Sequence, residues 1–301
     1  MSREQRAAID AALRQPQPDG VPSVAQMRAG FEAFMAGMRV PDGIRTRDCE
    51  LGGRPAVIVE PTGTPRAGRI LYFHGGSFMM GSPTTAMSLT ANLVARTGVP
   101  AISLDYRLAP EHPFPAGLDD TLAAYRALLD SGESPSSIVL AGDSAGGGLS
   151  VSTCLAARDA GLPLPAAIVA FSPGLDMTRT GESVTTKREA DPLFNIDTMH
   201  RTGAMYLAGQ DPNQPLISPA VCADLKGFPP MLIQVGTNEM LMDDSTRLAV
   251  RAREAGVDII LDVTADVPHV FQAFAGVLDE ADQALDRAAL FLSQHLPAAA
   301  R

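Results

Sequence analysis

The segment SSIVLAGDSAGGGLS carries Gly142-Asp143-Ser144-Ala145-Gly146, where an apolar run gives way to a helical pattern. G-x-S-x-G at a strand-to-helix turn is the arrangement that presents a serine as a nucleophile. The turn is tight enough to strain the serine backbone, and side chains flanking it would collide with the neighbouring strand and helix. Ser144 then stands at a helix N-terminus, where free N–H groups and the dipole favour developing negative charge. The dinucleotide fingerprint G-x-G-x-x-G fits less well, because Ser144 occupies the position of its second glycine.

A serine nucleophile needs an oxyanion site and a base. Upstream, LYFHGGSF places His74-Gly75-Gly76-Ser77 directly after another apolar run. Glycines there let backbone amides turn toward a substrate, and the amide of Ala145 adds a donor beside the nucleophile. Histidine suits general-base work near neutral pH. Of five histidines, His74 belongs to the glycine turn, His112 sits in the proline-rich PEHPFP, His200 lies in a helical pattern and His295 near the end of the chain. His269, in TADVPHVFQAF, follows the last strand-like run, where the order serine, acid, histidine puts the base.

The third partner is a carboxylate, and VGTNEMLMDDS offers Glu239, Asp243 and Asp244. Glu239 comes first after the run MLIQVG, in its end loop. Asp243 and Asp244, beside Ser245, have the look of first-turn residues of the next helix.

These residues must be held by a scaffold. RILYF, VPAISLDY, SSIVLAG, AAIVAFS, PMLIQVG and VDIILDV are short apolar runs bounded by turn residues. Helical patterns separate most of them, at Leu118–Leu129, Ala145–Ala160 and Asp243–Ala255. Continuous apolar strands alternating with helices predict an α/β fold, a mainly parallel sheet with helices on both faces. Residues 1–45 read as an N-terminal helical segment, in which Met27, Phe31, Phe34, Met35 and Met38 share one apolar face,. Residues 46–301 read as the catalytic domain, interrupted at about 174–219 by a long mixed insertion. That insertion and the N-terminal helices are expected to cap the carboxyl ends of the strands, where ligands bind in open α/β sheets. Their methionines and phenylalanines, Phe194, Met199 and Met205 included, are candidates to line a pocket or simply to pack.

Composition narrows the function. The formal charge of 24 − 34 = −10 argues against nucleic acid or an anionic membrane surface as partner,. With 46% hydrophobic and 19% charged residues the chain has the makings of a sizeable core,. Cys49, Cys154 and Cys222 show neither metal-ligand nor disulfide spacing,. The charged start and the lack of a long apolar run predict a cytoplasmic protein without membrane insertion.

Taken together, His74-Gly75-Gly76, the segment DYRLAPEHPFPAGLDD, Gly142-Asp143-Ser144-Ala145-Gly146 and PHVF resemble the bacterial hormone-sensitive-lipase-like esterases, of the α/β-hydrolase fold. The resemblance runs from about residue 50 onward. It implies a carboxylesterase, usually for short-chain esters, with a helical cap partly built from the N-terminus, a small-molecule ester as substrate and no cofactor; pairing through edge strands, common in the family, makes a homodimer plausible. The absence of Trp and the methionine-rich cap favour short to medium acyl chains,, and no metal is expected. The family often has a third glycine where this chain has Ser77. By alignment the oxyanion donors are the amides of Gly76 and Ser77, with Ala145; Gly75 serves mainly the turn and stays a further candidate. Asp105 and Arg107 are expected to pair structurally around the site, and Tyr106 to pack. Against the family's D-P-L-x-D pattern, Glu239 falls on the first aspartate. That favours Glu239 as the acid, with Asp243 the alternative and Asp244 behind it. A lactone offers the same carbonyl as an open ester, so lactone hydrolysis stays open. Some proteins of this fold are ligand receptors that have lost a triad residue; here all three are present.

Overall fold

The computed structural model describes residues 2–14 and 20–297 of the chain. Two helices, α1 (Ser2–Leu13) and α2 (Val24–Met35), precede an antiparallel pair, β1 (Ile44–Leu51) and β2 (Arg54–Pro61). Then come β3 (Arg69–Phe73), α3 (Met87–Thr97), β4 (Ala101–Leu104), α4 (Ala116–Asp130), β5 (Ile138–Asp143), α5 (Ala145–Asp159) and β6 (Ala167–Phe171). An insertion carries α6 (Ser183–Thr186), α7 (Ile196–Leu207) and α8 (Pro219–Cys222). The chain returns through β7 (Met231–Asn238), α9 (Met242–Glu254), β8 (Ile259–Pro268) and α10 (Asp279–His295).

The eight strands form one sheet in the order β1-β2-β4-β3-β5-β6-β7-β8. The β1–β2 and β2–β4 pairs are antiparallel and all others parallel. This is the α/β-hydrolase architecture expected of the sequence. Alternate residues of the central strands serve opposite faces. Leu71, Phe73, Leu140, Ile168 and Ile233 pack with Tyr125 of α4, Leu149 of α5 and Leu248 of α9. Ile70, Tyr72, Val139, Val169 and Leu232 pack with Leu89 and Leu93 of α3 and Leu285 and Phe291 of α10. Burial on both faces is why β3, β5 and β6 read as unbroken apolar runs,.

The antiparallel pair is less visible in the sequence. β1, IRTRDCEL, is exposed or half-exposed along its length, so it carries charges instead of an apolar face. Its partner follows after Gly52-Gly53, both at positive φ, the turn chemistry of a two-residue hairpin.

The N-terminal helices have different neighbours. α1 puts Ile9 against Val267, Phe271, Leu278 and Ala281, beside the end of β8 and the start of α10. α2 begins with a capping box of Ser23 and Gln26,. Its Arg28 donates to the carbonyls of Met79 and Ala109 and pairs with Glu111 at 2.6 Å. From the insertion, Tyr206 of α7 stacks on Phe78 with centroids 3.9 Å apart. Val24, Met79, Ala109, Met177 and Ile217 gather with Tyr206 in one small cluster.

The structure revises one expected ion pair. Arg107 pairs with Asp120 at 2.7 Å, not with Asp105. Asp105 instead offers its backbone carbonyl to Arg54. The pairing partner lies on α4, thirteen residues from Arg107 in sequence, so a strand-end segment alone does not reveal it. Tyr106 does pack: it is fully buried, lies stacked on His74 at 4.2 Å, and donates its hydroxyl to the His74 carbonyl.

Candidate active site

Ser144 takes φ 51° and ψ −118°, between the end of β5 and the start of α5. This left-handed backbone is uncommon outside glycine, and its surroundings show what enforces it. A Cβ on Gly142 would stand 2.5 Å from Gly146 backbone, and a Cβ on Gly146 only 1.9 Å from the Phe73 carbonyl oxygen. Helix and strand therefore approach at a distance that admits no side chain. The Ser144 amide donates to the Phe171 carbonyl at 2.8 Å, tying the turn to β6.

His269 follows β8 and meets Ser144 with Nε2 2.8 Å from Oγ. Its Nδ1 lies 2.8 Å from Glu239 Oε2. A carboxylate is acceptor only, so Nδ1 carries the proton and Nε2 is left to accept from the serine hydroxyl. Glu239 is fully buried in the loop after β7, and its Oε1 accepts from Ser172 Oγ at 2.7 Å and from the Gly236 amide at 2.5 Å. Burial works against the imidazolium of His269, but the hydrogen bond and charge of Glu239, aided by Asp191 and Asp143, outweigh it and raise the pKa above 6.5.

The two aspartates that compete with Glu239 in the sequence are engaged elsewhere. Asp243 accepts from the Ser183 amide at 2.8 Å, joining α9 to α6. Asp244 is buried and takes the amides of Leu175 and Asp176 on one oxygen. Burial pushes its carboxyl up to about 7, although the charge of Arg179 pulls the other way.

The glycine turn needs one correction. The Gly75 amide donates to Asp143 Oδ1 at 3.1 Å, so it is not aimed at an oxyanion and Gly75 leaves the donor set. Asp143 also accepts from Tyr72 Oη at 2.8 Å, and burial pushes its carboxyl up to about 6. The amides of Gly76, Ser77 and Ala145 have no such protein partner among the described residues. Gly76, Ser77 and Phe78 all adopt positive φ, at 120°, 55° and 61°. His74 is buried, with its pKa lowered to about 4 by burial and its Nδ1 2.8 Å from the Gly75 carbonyl; it is part of the turn.

Ser144 opens into a narrow cavity of about 30 Å³ lined by Ser77, Phe78, Met177, Arg179, Phe194 and Met199, among others. Of the apolar residues singled out in the sequence, Phe194 and Met199 line it. Phe194 also meets His269 edge-on at 4.7 Å. Met27, Phe31, Phe34, Met35, Met38 and Met205 lie outside this lining. No group of acidic, histidine or cysteine side chains suited to a metal ion is found among the described residues. Nor is any described helix long and apolar enough to cross a membrane.

Sequence reasoning passed over Ser172, Asp191 and Arg179. Ser172 directly follows β6 at φ 45° and bridges Glu239 to the Val270 amide. Asp191, buried in the insertion, accepts from the amides of Leu193, Phe194 and Met240, and so links Phe194 to the Glu239 loop. A serine after a core strand is a faint signal for the first. The other two act through contacts that spacing does not reveal.

Residues 70–273 match the family model of the α/β hydrolase fold. An acetyl-hydrolase of Streptomyces hygroscopicus is 44% identical over 223 residues, 74% of each chain. An esterase of Acinetobacter venetianus is 37% identical over 217 residues, 72% of this chain and 71% of its own. A crystal structure described as an esterase from the bacterial hormone-sensitive lipase family superposes with TM-score 0.93 at 41% identity, covering 98% of this chain and 99% of that one. The chain belongs to the bacterial hormone-sensitive lipase family of α/β hydrolases. Another structure, of EstE5 soaked with p-nitrophenyl butyrate, is 39% identical with TM-score 0.92, covering 97% of this chain and 98% of that one. The structural likeness extends beyond the residues of the family model, since these superpositions cover 97–98% of this chain.

Proposed function

We propose that this protein is a serine carboxylesterase that hydrolyses short- to medium-chain carboxylic esters through an acyl-enzyme. The observation that carries the reading is the continuous hydrogen-bonded line Ser144 Oγ, His269 Nε2, His269 Nδ1, Glu239 Oε2, with both links at 2.8 Å. His269 takes the hydroxyl proton as Ser144 attacks the ester carbonyl, and Glu239 holds the tautomer and stabilises the imidazolium. The amides of Gly76, Ser77 and Ala145 receive the oxyanion; one such donor contributes about 3 kcal/mol to the transition state. His269 then protonates the leaving alcohol, and a water activated the same way releases the acid. The narrow cavity favours small acyl groups.

Trapping with a p-nitrophenyl alkylphosphonate tests this. The phosphonyl group is expected on the peptide bearing Ser144, with parallel loss of ester turnover; labelling elsewhere, or none, counts against it.

In this reading the N-terminal segment 1–45, through α1 at the end of β8 and α2, and the insertion at about 174–219 form the cap over the site, supported by the packing of Ile9, the Tyr206–Phe78 stack and the reach of Arg28. Three unpaired cysteines favour the cytoplasm as its place of work,. A homodimer through the edge strand β8, which exposes 52% of Ile260 and 41% of Val263, is our reading of its assembly; sedimentation velocity tests it.

A further inference from the structure

Arg179 is the only charged residue among those that line the cavity at Ser144. The rest of the lining is uncharged: apolar side chains such as Phe78, Met177, Phe194 and Met199, with the hydroxyls of Ser77 and Thr202 beside Ser144. Within that lining the guanidinium is poorly served. Nη1 is shielded from solvent and has no hydrogen-bond partner among the described residues. Nη2 reaches only the thioether sulfur of Met177, at 3.4 Å, and a thioether is a weak acceptor.

The nearby carboxylates do not supply the missing partner. Asp176 pairs with Arg247 at 2.8 Å and accepts from Thr178 and Thr180. Asp244 is near enough to feel the charge of Arg179, but its Oδ2 is committed to the amides of Leu175 and Asp176, and no ion pair joins it to Arg179 among the described residues. A guanidinium holds five N–H donors in a rigid fork and stays charged at any ordinary pH. Burying one of its nitrogens unpaired is costly unless something else completes it. Arg179 is half-buried and lines the cavity that holds the nucleophile, so a substrate bound there is placed to supply that partner.

We propose that Arg179 is a specificity determinant that binds a carboxylate carried by the ester, so that half-esters of dicarboxylic acids, or esters of hydroxy acids, are preferred over neutral esters of equal length. The proposal rests on the esterase reading above and names the substrate class for that site. A guanidinium facing a carboxylate in a water-poor cavity gives a charge-assisted, often two-pronged, hydrogen bond. One local cation suffices for one carboxylate despite the net charge of −10, because in salt the distant charges are screened and the contact is not.

Two matched pairs test the idea in a pH-stat: monomethyl adipate against methyl hexanoate for a carboxylate on the acyl side, and 3-acetoxypropionate against propyl acetate for one on the alcohol side. In the wild type, at least one acidic ester has the higher kcat/KM of its pair. Arg179→Met lowers that acidic-to-neutral ratio by about tenfold or more, and Arg179→Lys restores part of it. Equal ratios in wild type and Arg179→Met for both pairs overturn the proposal. Turnover of the neutral esters reports separately on the esterase reading. Calorimetric titration of Ser144→Ala with the preferred acidic ester reads the contact without chemistry. Adding Arg179→Met to that protein is expected to raise Kd about tenfold, and an unchanged Kd, or no binding in either, overturns the proposal.

Discussion

Glu239 gives one carboxylate oxygen to His269 Nδ1 at 2.8 Å and keeps the other on Ser172 Oγ at 2.7 Å. The second contact fixes the first: with Oε1 also held by the Gly236 amide, the carboxylate cannot rotate away from the imidazole. The Glu239 carboxylate is therefore positioned by donors on three different segments, Ser172, Gly236 and His269, not by its own loop alone.

Glu239→Gln is expected to lower kcat for p-nitrophenyl butyrate by about 10³–10⁴-fold, because an amide can offer N–H to Nδ1 and so select the wrong tautomer. Asp243→Asn, which alters only the contact to Ser183 and Thr246, is expected to stay within about tenfold of wild type. Steady-state kinetics of the two variants side by side decide it. The reverse ranking would make Asp243 the acid.

Ser172→Ala removes one donor from Glu239 and one acceptor from the Val270 amide, the residue after His269. A fall in kcat of about tenfold is expected, corresponding to one lost buried hydrogen bond, with KM little changed. An unaltered kcat would show that the Gly236 amide alone orients the carboxylate.

The pH profile follows from the raised pKa of His269. In the proposed mechanism His269 must be neutral to accept the serine proton, and its charged form persists to a pH above the ordinary 6.5. The acid limb of kcat/KM is thus expected above 6.5,. In Glu239→Gln the largest raising influences are gone while burial remains, so the residual activity should titrate at lower pH. A wild-type limb below 6.5, or no shift in the variant, would contradict the assignment.

Gly146→Ala places a methyl 1.9 Å from the Phe73 carbonyl oxygen and 2.6 Å from that of His74, both backbone atoms with no freedom to yield. A loss of about 3 kcal/mol or more is expected in urea unfolding, together with loss of turnover. Wild-type stability would mean that the strand and helix are looser than they stand here.

Much of this was legible beforehand, for identifiable reasons. The buried strands β3, β5 and β6 advertise themselves because both faces are covered. The elbow is visible because Gly142 and Gly146 are demanded by local geometry. His269 is found by its place after the last strand. What escapes is what depends on distant partners: Asp143 holding the Gly75 amide, Asp120 taking Arg107, Asp191 tethering Phe194. The exposed strand β1 escapes too, because charge on both sides removes the alternation that marks a half-buried strand,. The apolar face of α2 is real in the sequence, yet none of its residues is fully buried and Phe34 is exposed, and the face lies outside the cavity lining; periodicity marks an apolar face, not how deeply or against what it packs.

The central claim is that Ser144 is the nucleophile of an ester hydrolase, and hydrolysis of p-nitrophenyl butyrate by wild type and Ser144→Ala tests it most directly. The expected result is steady turnover by wild type and a drop of about 10⁴-fold or more in a variant with unchanged circular dichroism. A folded Ser144→Ala protein that keeps most of the wild-type rate would contradict the account.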